Sequence, residues 1–449
     1  MANRKEAALR KQLQRRIARR DITVGVLGLG YVGLPLAIEF ARAGVRTLGF
    51  DIKVEKLRLL QEGGSYIRDV PADAVAEQVH AGRFLPTGDF QQCAECDALF
   101  ICVPTPFTEY KEPDISFILQ ATDSIAQTLR RGQIVVLKST TFPGTTEEYV
   151  LPRLEQTGLR VGQDFFLAFS PERVDPGNKT WTTANTPVVV GGVTPSCTEL
   201  AALVLRIAVQ TVVPVRSPQV AEMAKLLENI FRSVNIALVN ELAQLCDRIG
   251  INVWEVVEAA ATKPFGFLPF YPGPGIGGHC ILIDPYYLAW VARRYDFVTN
   301  FVTLAAEVNE AMPFYVRDMV IRELARMPVR LESARVLFLG VAFKRDVDDL
   351  RHSPALKIME LLHRDGVQAQ SYYDPYIHRI ELLGRPMESL PKLTPQVLRR
   401  YHLVVITTDH SCVDYELVCR YSRVIIDTRN ACRRVARPKA RIVLLGGGQ

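Results

Sequence analysis

The sequence predicts an α/β protein made of two doubly wound, Rossmann-like domains that are joined by a long central helix. Three observations predict this fold class. Short apolar runs alternate with helical segments up to about residue 215, a stretch without internal Pro or Gly follows and ends at Ile249, and the alternation resumes near residue 335. Continuously apolar strands that alternate with helices are typical of a parallel sheet covered on both faces.

The first domain is predicted to span residues 21–215. A helix is expected over 34–44, after the first apolar run and the turn that follows it. The predicted strands of this domain are 23–28, 45–51, 97–103, 133–138, 165–169, 187–191 and 209–215.

The segment 218–249 is apolar almost all round, which predicts a single long and mostly buried helix that ends at Gly250. At about 1.5 Å per residue this helix would be roughly 45 Å long, more than one small domain needs. Such a helix can join two domains or two subunits, so a homodimer or higher homo-oligomer is expected. We assign a central helical domain to 216–315 and a second α/β domain to 316–449.

The N-terminal 20 residues form a basic arm. They hold eight Lys or Arg residues and one acidic residue, whereas the whole chain has a net charge of +6, so the rest is close to neutral. Leu9, Leu13 and Ile17 recur every four residues, which allows a short basic helix. We expect a solvated or weakly docked arm, with contact to a membrane surface or another protein as the alternative. No nucleic-acid partner is expected, because no basic pattern crosses a predicted folded face.

Other features of the sequence favour a cytoplasmic protein without a metal. No apolar run is long enough to span a membrane, so no integral membrane segment is expected, and the N-terminus lacks the apolar core of a signal peptide. The nine cysteines are an odd number without a disulfide framework. Cys93 and Cys96 form a lone C-x-x-C pair, too little for a zinc site.

A glycine-rich turn predicts the cofactor. It follows the first strand and opens the first helix, and it reads Gly28-Leu29-Gly30-Tyr31-Val32-Gly33. The first glycine permits the tight turn, the second allows a pyrophosphate to approach the backbone, and the third allows close packing of helix and strand. Asp51 ends the second strand, where a carboxylate accepts hydrogen bonds from ribose hydroxyls and repels a 2′-phosphate. The prediction is NAD. The second α/β domain lacks this pattern and is expected to bind another ligand.

The segment 264–288 is the candidate chemical site. Glycines at 275, 277 and 278 precede Cys280, and Asp284 follows it. A cysteine near a helix N-terminus is favoured as a thiolate, although most cysteines are simply small core residues. Lys225 and Asn229 are four residues apart in the long apolar helix and so share one face. A buried lysine needs an anionic partner, which is either a ligand or a neighbouring carboxylate.

Several motifs together resemble the UDP-glucose/GDP-mannose dehydrogenase family, whose members oxidise C6 of a nucleotide sugar with NAD. The resemblance covers residues from about 22 to 435. It depends on GLGYVGLP (28–35), VPTP (103–106), KSTT (138–141), SPERV (170–174), AKLLEN (224–229), GGHC (277–280) and FKRDVDDLR (343–351).

The resemblance implies roles for the central residues. Cys280 matches the nucleophile, which forms a thiohemiacetal and then a thioester. Lys225 matches the group that stabilises the developing oxyanion, and Asn229 matches its hydrogen-bonding neighbour. Asp284 matches the carboxylate that helps to activate water or Lys225.

The resemblance also implies binding residues in the first domain. Thr140 and Glu172 match a polar pair that holds a catalytic water, with Glu172 also beside the substrate and Thr140 also beside the cofactor. Lys56 and Thr105 match further NAD contacts. They join Tyr31 and Val32 of the glycine-rich turn.

The C-terminal domain is implied to bind the UDP half of the substrate. Lys344 and Arg429 match its basic contacts. The 266–279 loop matches the cradle of the nucleotide diphosphate, with Tyr271, Gly275 and Gly277 as contacts.

The motifs SPERV and GGHC, and the segment that approaches Cys280, favour UDP-N-acetyl-D-glucosamine as the substrate and UDP-N-acetyl-D-glucosaminuronate as the product. UDP-N-acetylmannosamine, UDP-N-acetylgalactosamine and UDP-glucose follow in that order. Two other classes stay open: an NAD-binding scaffold without activity, and an alcohol dehydrogenase that stops at the aldehyde.

Overall fold

The computed structural model describes residues 2–108, 111–175, 177–178, 180–278 and 280–448, with the side chains of 2–6 and of 280 outside the description. The chain forms two compact units. The first comprises Met1–Glu228 and Trp290–Asp296, and the second comprises Asn229–Ala289 and Phe297–Gln449.

The first unit contains an eight-stranded sheet. Its strands are β1 Thr23–Leu27, β2 Arg46–Phe50, β3 Phe84–Thr87, β4 Ala98–Ile101, β5 Ile134–Leu137, β6 Phe166–Phe169, β7 Val188–Gly192 and β8 Val212–Val215. Its helices are α1 Ala2–Ala18, α2 Gly33–Arg42, α3 Val54–Gln61, α4 Ala72–His80, α5 Ser116–Ala126, α6 Leu151–Glu155 and α7 Pro195–Ala208, with a π-helix at Thr145–Val150 and 3-10 helices at Phe90–Glu95 and Arg293–Tyr295.

The strand order of this sheet is β3-β2-β1-β4-β5-β6-β7-β8, and every neighbouring pair is parallel except β6 with β7. Apolar cores cover both faces, which is why the strands are continuously apolar. Because β1 lies between β2 and β4, the order reverses at β1. In open α/β sheets the ligand crevice lies at such a reversal, beyond the carboxyl ends of the strands.

The second unit contains a smaller, five-stranded sheet and a separate two-stranded hairpin. The strands of this unit are β9 Arg335–Leu339, β10 Ala369–Tyr373, β11 Arg379–Leu382, β12 Arg385–Glu388, β13 Leu403–Ile406, β14 Val424–Asp427 and β15 Arg441–Leu444. The order β10-β9-β13-β14-β15 is parallel throughout, and β11 and β12 form an antiparallel hairpin. The remaining helices are α8 Pro218–Ile249, α9 Val253–Ala261, α10 Cys280–Ala292, α11 Asn300–Ala325, α12 Pro354–Arg364, α13 Pro395–Leu398 and α14 Tyr415–Tyr421, with 3-10 helices at Leu331–Ser333 and Ala431–Arg434.

The predicted fold class is therefore confirmed: two doubly wound sheets, parallel except for the pair β6 and β7, and a long helix between them in sequence. α8 has the predicted bounds 218–249. The prediction that α8 is mostly buried is wrong for the single chain. Eight large apolar side chains along it are exposed, at Val220, Met223, Leu227, Phe231, Leu238, Leu242, Leu245 and Ile249. Although α8 is long, no helix within the described residues is apolar enough over a sufficient length to cross a membrane.

The basic arm differs from the expectation. It is a helix, as predicted, but α1 is closely packed on the first unit. Leu13 and Ile17 are buried in the core that α1 shares with α7. Arg16 donates two hydrogen bonds, of 2.8 and 2.9 Å, to the carboxylate of Asp97 at the start of β4. The spacing of Leu9, Leu13 and Ile17 places them on one side of the helix, and that apolar side needs cover from the sheet domain.

Candidate functional site

The turn after β1 has the shape that its glycines predict. Gly28 has φ +91°, and a Cβ there would lie 2.7 Å from the carbonyl oxygen of Cys102. A Cβ at Gly33 would lie 1.9 Å from the carbonyl oxygen of Gly28, so any side chain at that position would collide with the turn. A Cβ at Gly30 meets no heavy atom within 4 Å. The first and third glycines are thus required for packing, whereas the second leaves room for a ligand beside the backbone.

Asp51 lies beside this turn, at the end of β2. One carboxylate oxygen accepts the N–H of Leu29 at 3.1 Å, and the other accepts the N–H of Lys53 at 3.0 Å. A carboxylate offers about four acceptor positions, so acceptor capacity remains for ribose hydroxyls. The Tyr66 hydroxyl donates to the carbonyl oxygen of Leu29 at 2.5 Å, and Lys56 Nζ lies 4.8 Å above the Tyr66 ring. Burial, and next the charge of Asp51, raise the pKa of Tyr66, so its phenol stays a donor.

The first turn of α2 suits an anion. Its N-cap residue, Val32, has no side chain that could cap the helix, and Tyr31 next to it is partly exposed. Backbone N–H groups at a helix N-terminus favour a phosphate. Thr105 is buried in the loop after β4, across the strand-order reversal from Asp51. These residues fit a dinucleotide with a free 2′-hydroxyl.

A second cluster in the first unit surrounds Glu172. Lys138, at the end of β5, is buried, and its Nζ lies 3.6 Å from the Glu172 carboxylate. Burial alone would raise the pKa of Glu172. The pKa is nevertheless held below its usual range by the charge of Lys138, by hydrogen bonds from the N–H groups of Val174 and Arg173, and by the charge of Lys225. Glu172 is therefore a carboxylate at neutral pH, able to accept a proton, and the buried Lys225 is electrostatically coupled to it.

Two further contacts hold this cluster. Arg173 pairs with Glu228 of α8 at 2.7 Å, which fixes the loop after β6 against the helix that carries Lys225. Glu222 of α8 is fully buried and accepts the N–H groups of Gly144 and Thr146 at 2.7 and 3.0 Å. Burial raises the pKa of Glu222 to about 7, even though these bonds favour its charged form. The segment that follows the partly buried Thr140 is thereby anchored to α8.

In the second unit, Asn229 and Asp284 are brought together. Both are buried, and Asn229 Nδ2 donates to Asp284 Oδ2 at 2.5 Å. Arg232 donates to Asn229 Oδ1 at 2.8 Å, so the orientation of the amide is fixed from both sides. Asp284 lies in the second turn of α10, which begins at Cys280. The side chain of Cys280 and the whole of His279 lie outside the described part of the chain.

The loop that leads to Cys280 is held by buried amides. Asn240 of α8 accepts the N–H of Gly273 at 2.9 Å and donates to Asn309 of α11, also at 2.9 Å. Asn309 in turn donates to the carbonyl oxygen of Ser233 at 3.0 Å. Both asparagines are buried, and a buried network of hydrogen-bonded amides is rigid. Gly275 follows Gly273 by two residues in this loop and has φ +129°.

The same loop approaches the small sheet. A Cβ at Gly277 would lie 2.5 Å from the Cβ of Phe343, and the N–H of Gly278 donates to the carbonyl oxygen of Arg351 at 2.8 Å. Only glycine allows this close approach at 277. Further back in the loop, Tyr271 stacks on Trp254, with ring centroids 5.6 Å apart.

Basic residues converge at the carboxyl edge of the small sheet. Arg345 follows β9 and pairs with Asp409, which follows β13. Arg429, which follows β14, pairs with the same carboxylate at 3.5 Å. A Cβ at Gly273 would lie 2.5 Å from Arg429 Nη1, so the guanidinium packs on the bare backbone of the glycine loop. Lys344 precedes Arg345 in the turn after β9. This edge suits an anionic ligand such as a diphosphate.

The structure thus places the predicted residues in two sets. The first unit holds Gly28, Gly30, Tyr31, Val32, Gly33, Asp51, Lys56, Thr105, Thr140, Glu172 and Lys225, and the second holds Asn229, Tyr271, Gly275, Gly277, Asp284, Lys344 and Arg429. Within the described residues, no group of three or more His, Cys, Asp or Glu side chains is arranged to hold a metal ion.

Sequence reasoning missed Lys138, Arg345 and Asp409. Lys138 could have been found from the sequence, because it ends an apolar run and a charged residue at the end of a buried strand needs a partner. Nothing in the sequence points to Arg345 and Asp409, since their pairing depends on the strand order of the sheet.

Comparison with known proteins identifies relatives that match most of the chain. Models of the UDP-glucose/GDP-mannose dehydrogenase family match residues 22–209 (NAD binding domain), 219–311 (central domain) and 337–434 (UDP binding domain). The UDP-N-acetyl-D-glucosamine 6-dehydrogenase of Pseudomonas aeruginosa is 38% identical over 360 residues, which are 80% of this chain and 84% of the relative. The UDP-N-acetyl-D-mannosamine dehydrogenase of Pyrococcus horikoshii is 36% identical over 413 residues, 91% of this chain and 95% of the relative. A solved structure of the UDP-D-ManNAc dehydrogenase from Pyrococcus horikoshii superposes with a TM-score of 0.86 at 33% identity, and covers 95% of this chain and 100% of that one.

Proposed function

This chain belongs to the UDP-glucose/GDP-mannose dehydrogenase family, and from that premise we propose that it oxidises UDP-N-acetyl-D-glucosamine to UDP-N-acetyl-D-glucosaminuronate. It is an NAD-dependent oxidoreductase. The proposed reaction removes two hydrides from C6 and adds one water oxygen. The observation that carries the proposal is the buried Lys225 beside the ionised Glu172, because this chemistry needs both a cation for an oxyanion and a base for water.

We assign cofactor binding to residues 21–215. The glycine turn, the first turn of α2 and Asp51 would hold the pyrophosphate and the adenosine ribose, with Lys56 and Thr105 as further contacts. The cofactor, when bound, accepts the hydrides that leave C6.

We assign the chemical step to Cys280 in the 216–315 segment. The first oxidation gives an aldehyde, which cannot release its remaining C6 hydrogen as hydride until a nucleophile adds to its carbonyl carbon. The thiolate of Cys280 forms a C–S bond there, and the oxygen becomes a thiohemiacetal hydroxyl. Loss of the second hydride leaves a thioester. Water then attacks the thioester, the C–S bond breaks, and the carboxylate leaves as the thiol is restored.

The neighbouring polar residues would serve these steps. Lys225 stabilises negative charge on the C6 oxygen, and Asn229 donates a hydrogen bond beside it. Asp284, bonded to Asn229, fixes that amide and takes part in proton transfer. Glu172, which is ionised, would accept the proton of the attacking water, and Thr140 would help to hold that water.

We assign the nucleotide end of the substrate to residues 316–449, with Lys344 and Arg429 on the diphosphate. Tyr271, Gly275 and Gly277 of the glycine loop would contact the same moiety. The choice of sugar is supported by the named relatives, which act on 2-acetamido sugars. UDP-N-acetylmannosamine is the second candidate, followed by UDP-N-acetylgalactosamine and UDP-glucose.

One assay tests the reaction and the sugar together. NADH formed per UDP-sugar consumed is measured across the four candidate sugars. We expect two NADH per UDP-N-acetyl-D-glucosamine and the highest kcat/KM for that sugar. A ratio of one would identify an alcohol dehydrogenase that stops at the aldehyde, and NAD binding without turnover of any sugar would identify a scaffold.

Cofactor choice gives a second test. Asp51→Ala is expected to weaken NAD binding about 10- to 100-fold, since a hydrogen bond to a charged group contributes about 1.5–3 kcal/mol. Discrimination against NADP should relax as well, because the charge that repels a 2′-phosphate is gone. Kinetics with both cofactors measure this. Asp51→Asn is the conservative variant: its amide oxygen can keep one of the two backbone hydrogen bonds, from Leu29 or Lys53, while the charge is removed. A wild type that prefers NADP would refute the assignment.

We also propose a homodimer formed through α8, because the exposed apolar side chains from Val220 to Ile249 recur at intervals of three, four or seven residues along the helix. Light scattering at micromolar concentration should give at least twice the mass of one chain. Leu238→Glu should shift this toward the monomer, whereas the same change at Leu59, an exposed leucine of α3, should not. A monodisperse monomer for the wild type would rule the dimer out.

We propose a cytoplasmic location. The eight cysteines whose side chains the structure describes are all free thiols, as is usual in a reducing compartment.

A further inference from the structure

The small sheet has its own reversal of strand order. β9 lies between β10 and β13, so the loops after β9 and β13 flank a crevice at the carboxyl edge of the sheet. Lys344 lies in the first of these loops. The turn 341–346 that carries Lys344 therefore has to keep one shape if the lysine is to meet a ligand there.

His410, in the loop after β13, contacts this turn with one ring nitrogen and a carboxylate with the other. The side chain is fully buried. Its Nδ1 accepts the N–H of Asp346 at 3.0 Å, and its Nε2 lies 3.0 Å from Asp374 Oδ2. An Nδ1 that accepts a hydrogen bond carries no proton, so the proton is on Nε2 and is donated to Asp374. The two partners together fix a neutral ring in a single tautomer.

Asp374 accepts hydrogen bonds from the other end of the turn. The same oxygen that faces His410 accepts the N–H groups of Val341 and Ala342 at 2.7 and 3.0 Å. Asp374 is itself fully buried, at the end of β10. Both ends of the turn are thus bonded to one buried His–Asp pair.

The conformation of the turn needs this support. Asp346 has φ +60°, in the left-handed region that costs a residue with a side chain free energy. Its N–H is held by His410, and its carboxylate accepts the N–H of Ser411 at 2.9 Å. The segment after β13 therefore imposes the left-handed residue on the turn, two positions from Lys344.

We infer that His410 is a positioning residue for the nucleotide diphosphate: its neutral ring, backed by Asp374, holds the turn 341–346 in the shape that places Lys344 for binding. The inference rests on the proposed function of Lys344. His410 is fully buried and acts on the ligand only through the turn.

Two substitutions separate the two bonds of the ring. Asn places its polar atoms near the depth of Nδ1 and can still accept the N–H of Asp346. Gln reaches to the depth of Nε2 and can donate to Asp374, but it leaves that N–H unpaired. His402 supplies the control, because its Nδ1 also accepts a backbone N–H, that of Arg335 at 3.0 Å, at the opposite edge of the same sheet.

The experiment titrates UDP into the full-length protein by calorimetry and measures steady-state kinetics with the UDP-sugar and NAD. His410→Gln should weaken UDP binding and raise the KM of the UDP-sugar roughly tenfold, the effect of leaving one buried backbone donor unpaired. The kcat and the KM of NAD should change little. His410→Asn should restore most of the binding, and His402→Gln should match the wild type.

A fourth variant separates the inference from the proposed function. If Lys344→Ala binds UDP like the wild type, the assignment of the binding site fails. If Lys344→Ala loses UDP binding while His410→Gln keeps it, the inference about His410 fails. It also fails if both His410 variants are unfolded by circular dichroism, or if they lower kcat and leave the KM of the UDP-sugar unchanged, because the ring would then have another role.

Discussion

Replacing Cys280 with serine is expected to lower turnover by about three orders of magnitude or more while NAD and UDP-sugar still bind. A hydroxyl at its ordinary pKa is a far weaker nucleophile than a thiolate, so the aldehyde would gain no bond that prepares it for the second hydride loss. Any ester that does form would hydrolyse slowly, since an ester is a poorer electrophile than a thioester. Intact-mass spectrometry after incubation with substrate and NAD, beside steady-state NADH production, measures both effects.

The matched control for this substitution is Cys412→Ser. Cys412 is an exposed free thiol in the second unit, so it reports what the loss of an accessible thiol does by itself. It should keep wild-type turnover. A Cys280→Ser variant that still forms two NADH per sugar at the wild-type rate would show that no thioester is needed.

Removing the charge of Lys225 has the second largest expected effect. Lys225→Met should lower kcat about 10²- to 10³-fold, the cost of losing one group that stabilises an oxyanion. It should also move the acid limb of the pH–rate profile to higher pH. Lys225 is one of the groups that lower the pKa of Glu172, so without it the carboxylate takes up its proton at a higher pH and the base is lost earlier as the pH falls.

Lys225→Arg is the control that separates charge from geometry. It keeps the positive charge, so the acid limb should stay in place even where kcat falls because the guanidinium is larger. If Lys225→Met retains turnover within a few-fold of the wild type, the lysine is a structural partner of Glu172 and no more.

The features that the sequence predicted best are those determined by residues close together in the chain. The bounds of α8 follow from an unbroken helical segment that ends before Gly250. The glycine turn follows from positions where a side chain would collide with backbone, as at Gly28 and Gly33. Such features depend on neighbouring residues in the chain, and a sequence displays those directly.

The remaining features depend on residues far apart in the chain. His410 and Asp374 are 36 positions apart, and they meet only because β10 and β13 both flank β9. The pair of Lys138 with Glu172 likewise requires β5 and β6 to be neighbours. A single sequence gives the residues of such pairs but not the strand order that joins them.

The exposed side chains of α8 were not predicted for a similar reason. Apolar side chains along a helix predict that the helix is covered, either by the same chain or by a second copy of it. The pattern along a helix cannot distinguish these two sources of cover. The assembly therefore has to be measured, although the helix itself was predictable to the residue.

The docking of α1 has a practical consequence for how the protein is produced. The family match begins at residue 22, which suggests a convenient place to start a shortened version. That boundary would remove the two buried side chains Leu13 and Ile17 and take Arg16 away from the nearly buried carboxylate of Asp97. Asp97 would keep its ion pair with Arg130, at 3.0 Å, but would lose two hydrogen bonds from Arg16, so the shortened protein would fold less stably. Affinity tags and immobilisation chemistry should therefore leave α1 intact, because this helix is part of the first compact unit.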